Sequence, residues 1–173
     1  GPRLALGCDY GHFVRSPFIA RYNQVLDPLP CELPSVGRGD FRVPGISVRH
    51  ADGSSVLELG YEDHAISTGK PYLDGLPSTY VEDGTEAETV EVSLVDHHSG
   101  LEVRLLTTIF SDRPVIARSM RVVNGGTGEV QLTTAMSAVL DLPDRDWHLL
   151  QLAGEWARET QVVDAPLVRG TRA

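Results

Sequence analysis

Cysteine is nearly absent from this 173-residue chain, which has only Cys8 and Cys31. They form no CxxC pair, and two thiols make neither a disulfide framework nor a four-ligand zinc site. A single bridge between them stays open. Aromatic residues are scarce at 6%, which leaves little material for a stacked-ring binding platform. No stretch approaches the ~18 consecutive apolar residues of a membrane-spanning helix. No charged segment followed by a short apolar one marks a secretory leader, so the expected location is cytoplasmic. Basic residues are outnumbered, 15 Lys and Arg against 24 Asp and Glu, for a formal net charge of -9. Phosphate-binding surfaces need clustered Lys and Arg to displace counterions. Neither nucleic acid nor a membrane is therefore an expected partner.

What is present reads as strand. With 41% hydrophobic and 23% charged residues, the chain has enough apolar material for a folded core. Val130, Leu132, Thr134, Met136, Ala138, Leu140 and Leu142 fall on every second position, which puts them on one face of a pleated strand. Val90, Val92 and Leu94 alternate in the same way, as do Leu101, Val103 and Leu105, while Ile116, Met120 and Val122 line a further face. Turn residues separate the runs. Asp52-Gly53 lies between Ile46–Arg49 and Val56–Leu59, the pattern of a two-strand hairpin. His98-Ser99-Gly100 and Asn124-Gly125-Gly126 punctuate later pairs. Strands at this spacing without helical crossovers predict an all-β, antiparallel β-sandwich. The expected organisation is one domain over residues 1–173, with sandwich strands over 45–170. Residues 1–44 are rich in Pro and Gly and form a long irregular entry. One segment, Leu149–Glu159, has helical spacing at Leu149, Leu152 and Trp156. Gly154 and the lack of an N-cap weigh against a helix there.

Catalytic chemistry is hard to find. Asp96-His97-His98 has metal-ligand residue types, but no third ligand stands at suitable spacing, and the triplet reads as a polar strand end before a turn. His12, His50, His64 and His148 are isolated. Glu82, Asp83, Glu86, Glu88 and Glu91 cluster, yet a glycosidase needs two carboxylates held in an enclosed cleft. GxSxG, HExxH, P-loop and dinucleotide fingerprints are all missing. No cofactor and no metal are expected.

The motifs that remain carry a resemblance. Gly39-Asp40-Phe41-Arg42-Val43-Pro44, Asp52-Gly53-Ser54, Gly69-Lys70-Pro71 and Gly75-Leu76-Pro77-Ser78-Thr79-Tyr80-Val81 occur in order. They are followed by Glu86-Ala87-Glu88-Thr89-Val90, Val115-Ile116-Ala117-Arg118-Ser119 and Gly154-Glu155-Trp156-Ala157-Arg158-Glu159. Leu29-Pro30-Cys31-Glu32-Leu33-Pro34 precedes them. Over roughly residues 29–170 the chain resembles the amino-terminal part of glycoside hydrolase family 36.

The resemblance implies a bacterial β-supersandwich that precedes a (β/α)₈ catalytic barrel. It implies a parent hydrolase acting on α-galactosides of the melibiose and raffinose type by a retaining mechanism. The nucleophile and acid/base aspartates of that mechanism belong to the barrel, so no catalytic role transfers to this chain, which is expected to be inactive alone. Implied roles are interdomain packing with the barrel, homo-oligomer assembly (a tetramer in related enzymes) and completion of a sugar pocket. In such enzymes a loop ahead of the LPxE-like segment supplies an Asp and an Arg about twelve residues apart, the spacing of Asp9 and Arg21. A carboxylate accepts from two sugar hydroxyls and a guanidinium offers a planar donor fork. Ordinary solvated loop charges are the plainer reading of both. Asp40, Arg42, Trp156 and Arg158 are candidates for structural corners or interfaces. Two other readings stay open: a stand-alone carbohydrate-binding module, and a domain of an α-N-acetylgalactosaminidase.

Overall fold

The computed structural model describes residues 31–37, 42–75, 78–136, 138–140, 142 and 145–168. Eight strands form antiparallel sheets: β1 (Ile46–His50), β2 (Gly60–Thr68), β3 (Ala87–Asp96), β4 (Leu101–Phe110), β5 (Ile116–Asn124), β6 (Val130–Ala135), β7 (His148–Glu155) and β8 (Arg158–Pro166). Among the described residues the only helical element is a 3-10 turn, Gly84–Glu86. The all-β, antiparallel expectation holds. The chain divides into two compact units, Gly1–Asp141 and Leu142–Ala173.

In the first unit β2-β3-β4-β5 form one sheet and β1-β6 a second. Their shared core contains Ile46 and Val48 of β1 together with Val92, Leu94, Leu101, Val103 and Leu105 of β3 and β4. Leu33, Leu57 and Leu59 join it from segments outside the strands. The alternation read from the sequence is what builds this face, because odd and even positions of a pleated strand point to opposite sides. The buried face then changes along the sheet. Leu105 and Leu106 are both buried, and beyond them Thr108, Phe110, Ala87 and Thr89 are buried on the other side. There the Thr89 hydroxyl donates to the Gly69 carbonyl at 2.7 Å, which leaves the Thr108 hydroxyl as donor across its 2.7 Å contact with Thr89.

Turn chemistry closes the sheet. Gly100 has φ 75, a left-handed conformation suited to glycine. The next turn packs on it, with the Gly125 N–H donating to the Gly100 carbonyl at 3.1 Å. A methyl on Gly126 would overlap the Ser99 carbonyl oxygen, so glycine is required by close backbone approach.

Three local expectations need correction. The Asp52-Gly53 turn exists, with the Gly53 N–H donating to the His50 carbonyl at 2.9 Å, but it does not join two paired strands. β1 pairs with β6 instead. Residues 56–59 lie outside the strands, and Leu57 bonds to Val36, its N–H reaching that carbonyl at 2.7 Å. β2 had no periodic signature because a register shift between Tyr61 and Asp63 breaks the alternation. The run beginning at Val130 stays in strand only to Ala135. Leu149–Glu159, where Gly154 and the missing N-cap weighed against a helix, lies in a hairpin of β7 and β8, in which Leu149 and Leu152 fall on opposite faces.

Leu94 is 1% exposed and faces both sheets of the core. Leu94→Ala should therefore destabilise the fold by about 2–5 kcal/mol. Urea unfolding should show a lower midpoint with an unchanged slope.

Candidate functional site

Asp9, Arg21 and Asp40 lie outside the described residues. Arg42 is half-buried. Trp156 and Arg158 sit at the β7–β8 turn, where Glu155 is paired with Arg158 across two loop residues. Trp156 is 93% exposed, so it anchors no core within this chain. The backbone around it is unusual: Ala157 has φ 65 and Thr160 φ 58. Left-handed conformations cost non-glycine residues about 1–3 kcal/mol each and cluster where a turn must present something.

Both faces of this hairpin carry apolar side chains. Register places Leu150, Leu152 and Val162 on one side, with Leu149, Val163 and Ala165 beside Gln151 and Gln161 on the other. On the first side the His148 ring lies 2.7 Å from the Asp164 carboxylate. A further exposed apolar group occupies the four-stranded sheet, where Ile66, Ile109 and Ile116 are each more than half exposed. Sequence reasoning passed over these surfaces. The adjacent pairs Leu149-Leu150 and Val162-Val163 were the available signal, since strands covered on both faces lose their alternation.

The charged groups behave as solvated structural partners. Asp83 caps the 3-10 turn, accepting from the Thr85 N–H at 2.9 Å while Glu86 accepts from the Asp83 N–H at 3.1 Å. That Thr85 donor holds the Asp83 carboxyl below its ordinary value. The Ser54 N–H lowers Asp52, the Arg104 guanidinium lowers Glu102, and the Arg113 guanidinium lowers Asp112. These shifts oppose what a general acid needs, since proton donation to a leaving group calls for a raised value. His97 and His98 lie in the β3–β4 turn, with His97 3.3 Å from Glu62. Among the described residues no three potential metal ligands converge.

Two of the sequence motifs turn out to meet. Arg118 of β5 pairs with Glu32 and donates to the Val139 carbonyl at 3.2 Å. The guanidinium thus ties the segment ahead of β1 and the stretch after β6 to the edge of the four-stranded sheet. These residues and Leu33 line a shallow depression. The arrangement crosslinks segments and presents no open donor fork.

The described residues thus form an antiparallel all-β domain with exposed apolar surfaces. The model of the glycosyl hydrolase family 36 N-terminal domain matches residues 8–173. The chain belongs to that family. It is 44% identical over 148 residues to alpha-galactosidase AgaA of Geobacillus stearothermophilus, covering 86% of this chain and 20% of AgaA. Mel36A of Lactobacillus acidophilus, also an alpha-galactosidase, is 43% identical over 79% of this chain and 19% of its own length. The crystal structure of AgaA superposes with a TM-score of 0.79 over 84% of this chain and 20% of that one. The galactosidase domain of the alpha-galactosidase-sucrose kinase AgaSK gives 0.78 at 32% identity, over 98% of this chain and 25% of that chain. The chain therefore spans about a fifth of the relatives it matches.

The lowered Asp83 value sets a sign for acid behaviour. A depressed carboxylate stabilises the fold fully above its unfolded value of 3.8, and that stabilisation fades as pH falls through the lower folded value. Asp83→Ala should melt below the parent at pH 7. The gap in Tm should narrow only below about pH 3.8, as thermal melts from pH 7 to 2.5 would show.

Proposed function

We propose that this chain is the non-catalytic amino-terminal domain of a retaining α-galactosidase, acting through packing on a catalytic domain, oligomer assembly and completion of a sugar pocket. The observation that carries the reading is the match of an N-terminal domain over residues 8–173, combined with relatives of which it forms about a fifth. The relatives are named alpha-galactosidases, and one structure of AgaA is in complex with raffinose. Galactosides of the raffinose type are accordingly the proposed substrates of the whole protein. The bond-breaking carboxylates are assigned to the part outside this chain. In line with that division of labour, Asp83 and Glu102 are tied up by local donors.

Asp9 and Arg21 are the proposed contribution of this domain to the sugar pocket, the Asp accepting from hydroxyls and the Arg donating to them. A charged hydrogen bond of this kind is worth about 1.5–3 kcal/mol, so Asp9→Ala or Arg21→Ala in the full-length protein should raise KM roughly 10- to 100-fold. Little change in kcat is expected, because neither group touches the reacting bond. The 173-residue chain alone should not hydrolyse nitrophenyl α-galactoside. Turnover above buffer by this chain would overturn the assignment, and unchanged KM in both variants would remove Asp9 and Arg21 from the pocket.

A further inference from the structure

Asparagine is chemically labile, and most so before glycine, which adds no side chain to shield its own amide nitrogen. The chain has two asparagines, Asn23 before Gln24 and Asn124 before Gly125. At Asn124-Gly125 the backbone can attack the side chain without an enzyme. The Gly125 nitrogen gives its proton to base and bonds to Asn124 Cγ. The Cγ–Nδ2 bond breaks, ammonia leaves, and a five-membered imide closes. Water then opens either imide carbonyl, giving aspartate or an isoaspartate whose backbone runs through the former side chain. One water is taken up, one ammonia is released, and nothing is oxidised or reduced.

Asn124 is exposed, so burial does not shield it. Its turn does. The Gly125 N–H donates to the Gly100 carbonyl at 3.1 Å, which holds the proton that base must remove. The carboxamide is held at both ends: Oδ1 accepts from the Gly126 N–H at 3.1 Å, and Nδ2 donates to the Gly128 carbonyl at 2.8 Å. The Gly126 contact polarises the carbonyl toward attack. The other two oppose reaction, one by tying the nucleophile and the other by tying the leaving nitrogen.

We infer that Asn124 is a modification site gated by the fold: it deamidates when the turn opens, and neither product rebuilds the turn. Aspartate ionised at neutral pH has acceptors only, so it loses the Nδ2 donor and sets a carboxylate oxygen against the Gly128 carbonyl. Isoaspartate adds a backbone carbon ahead of Gly125. That carbon displaces Gly125 and Gly126 where they meet Gly100 and Ser99, a place without room for a methyl on Gly126. Asn124 also pairs in register with Leu101, which is 1% exposed in the core. Each conversion therefore loosens the end of the β4–β5 ladder, and opening becomes one-way.

The full-length protein is incubated in mildly alkaline buffer, native and in urea, and the Asn124 peptide is read by mass spectrometry for conversion of amide to acid. The native protein should convert at least roughly tenfold more slowly than the unfolded one, because only the opened fraction reacts. Gly100→Ala sets a methyl against the Gly126 backbone and should bring the native rate toward the rate in urea. Asn124→Asp, which is one product, should raise hydrogen exchange in peptides covering 99–101 and 124–128 about fivefold, and serves if Gly100→Ala does not fold. Equal conversion in buffer and urea would sink the inference, as would no conversion in urea. A folded Gly100→Ala protein that converts no faster than the parent would also defeat it. So would unchanged exchange in Asn124→Asp, which would show that the product keeps the turn.

Discussion

The first unit depends on the register between β3 and β4, ten residue pairs from Ala87 opposite Phe110 to Asp96 opposite Leu101. A slip of one residue would turn Val92, Leu94, Leu101 and Val103 out of the core, because strand side chains alternate faces. A buried carboxylate secures that register. Asp96 is 3% exposed, and its oxygens accept from the His98 N–H at 3.0 Å and the Ser99 hydroxyl at 2.8 Å. Its backbone carbonyl accepts from the Gly100 N–H at 2.8 Å. An unsatisfied carboxylate at such a depth would be costly. Here every nearby donor comes from the turn itself, so forming the turn and burying the acid are a single event.

The same register explains why the buried face changes along the sheet. Toward the turn, the core is shared with β1, and the opposite face is polar: Arg104 lies between Glu91 and Glu102 at 3.6 and 2.7 Å. Toward the far end the roles reverse, and a hydroxyl pair, Thr89 with Thr108, is sealed under the Gly69 carbonyl. Ile109 and Ile116 are then left on the side that the core no longer covers. A single sheet thus has one face satisfied within the unit and a second apolar region that this unit does not cover.

What was legible in the sequence follows from these constraints. β3 and β4 were readable because in each half of the strand one face is buried, which enforces alternation there. The Gly100 and Gly126 turns were readable because only glycine tolerates that backbone or that contact. β2 was not, since it lies at an edge with a shifted register and mostly exposed residues, so nothing imposes a pattern on it. Asp52-Gly53 correctly marked a turn, but the partner of β1 was decided by distant pairing with β6, which no local signal encodes. The family was legible from ordered motifs, two of which meet in the structure: Glu32 and Arg118, from separate motifs, are an ion pair. Of the expected site residues, Trp156 and Arg158 were read as structural corners or interfaces and lie at the β7–β8 turn, while Asp9 and Arg21 rested on spacing alone.

The β7–β8 ribbon carries the longest step from local rule to function. Helical spacing and strand spacing both fit Leu149–Glu159 because apolar residues fall on both faces of the ribbon, Leu149 on one and Leu150 and Leu152 on the other, so the apolar positions carry no single period. A strained turn and an exposed indole are hard to explain as features of a free-standing module, since they raise the free energy of the isolated chain and expose apolar surface to water. A carbohydrate-binding module would instead gather aromatic and polar groups into one cleft. Here the exposed indole at the hairpin tip stands beside aliphatic neighbours and the Glu155–Arg158 ion pair.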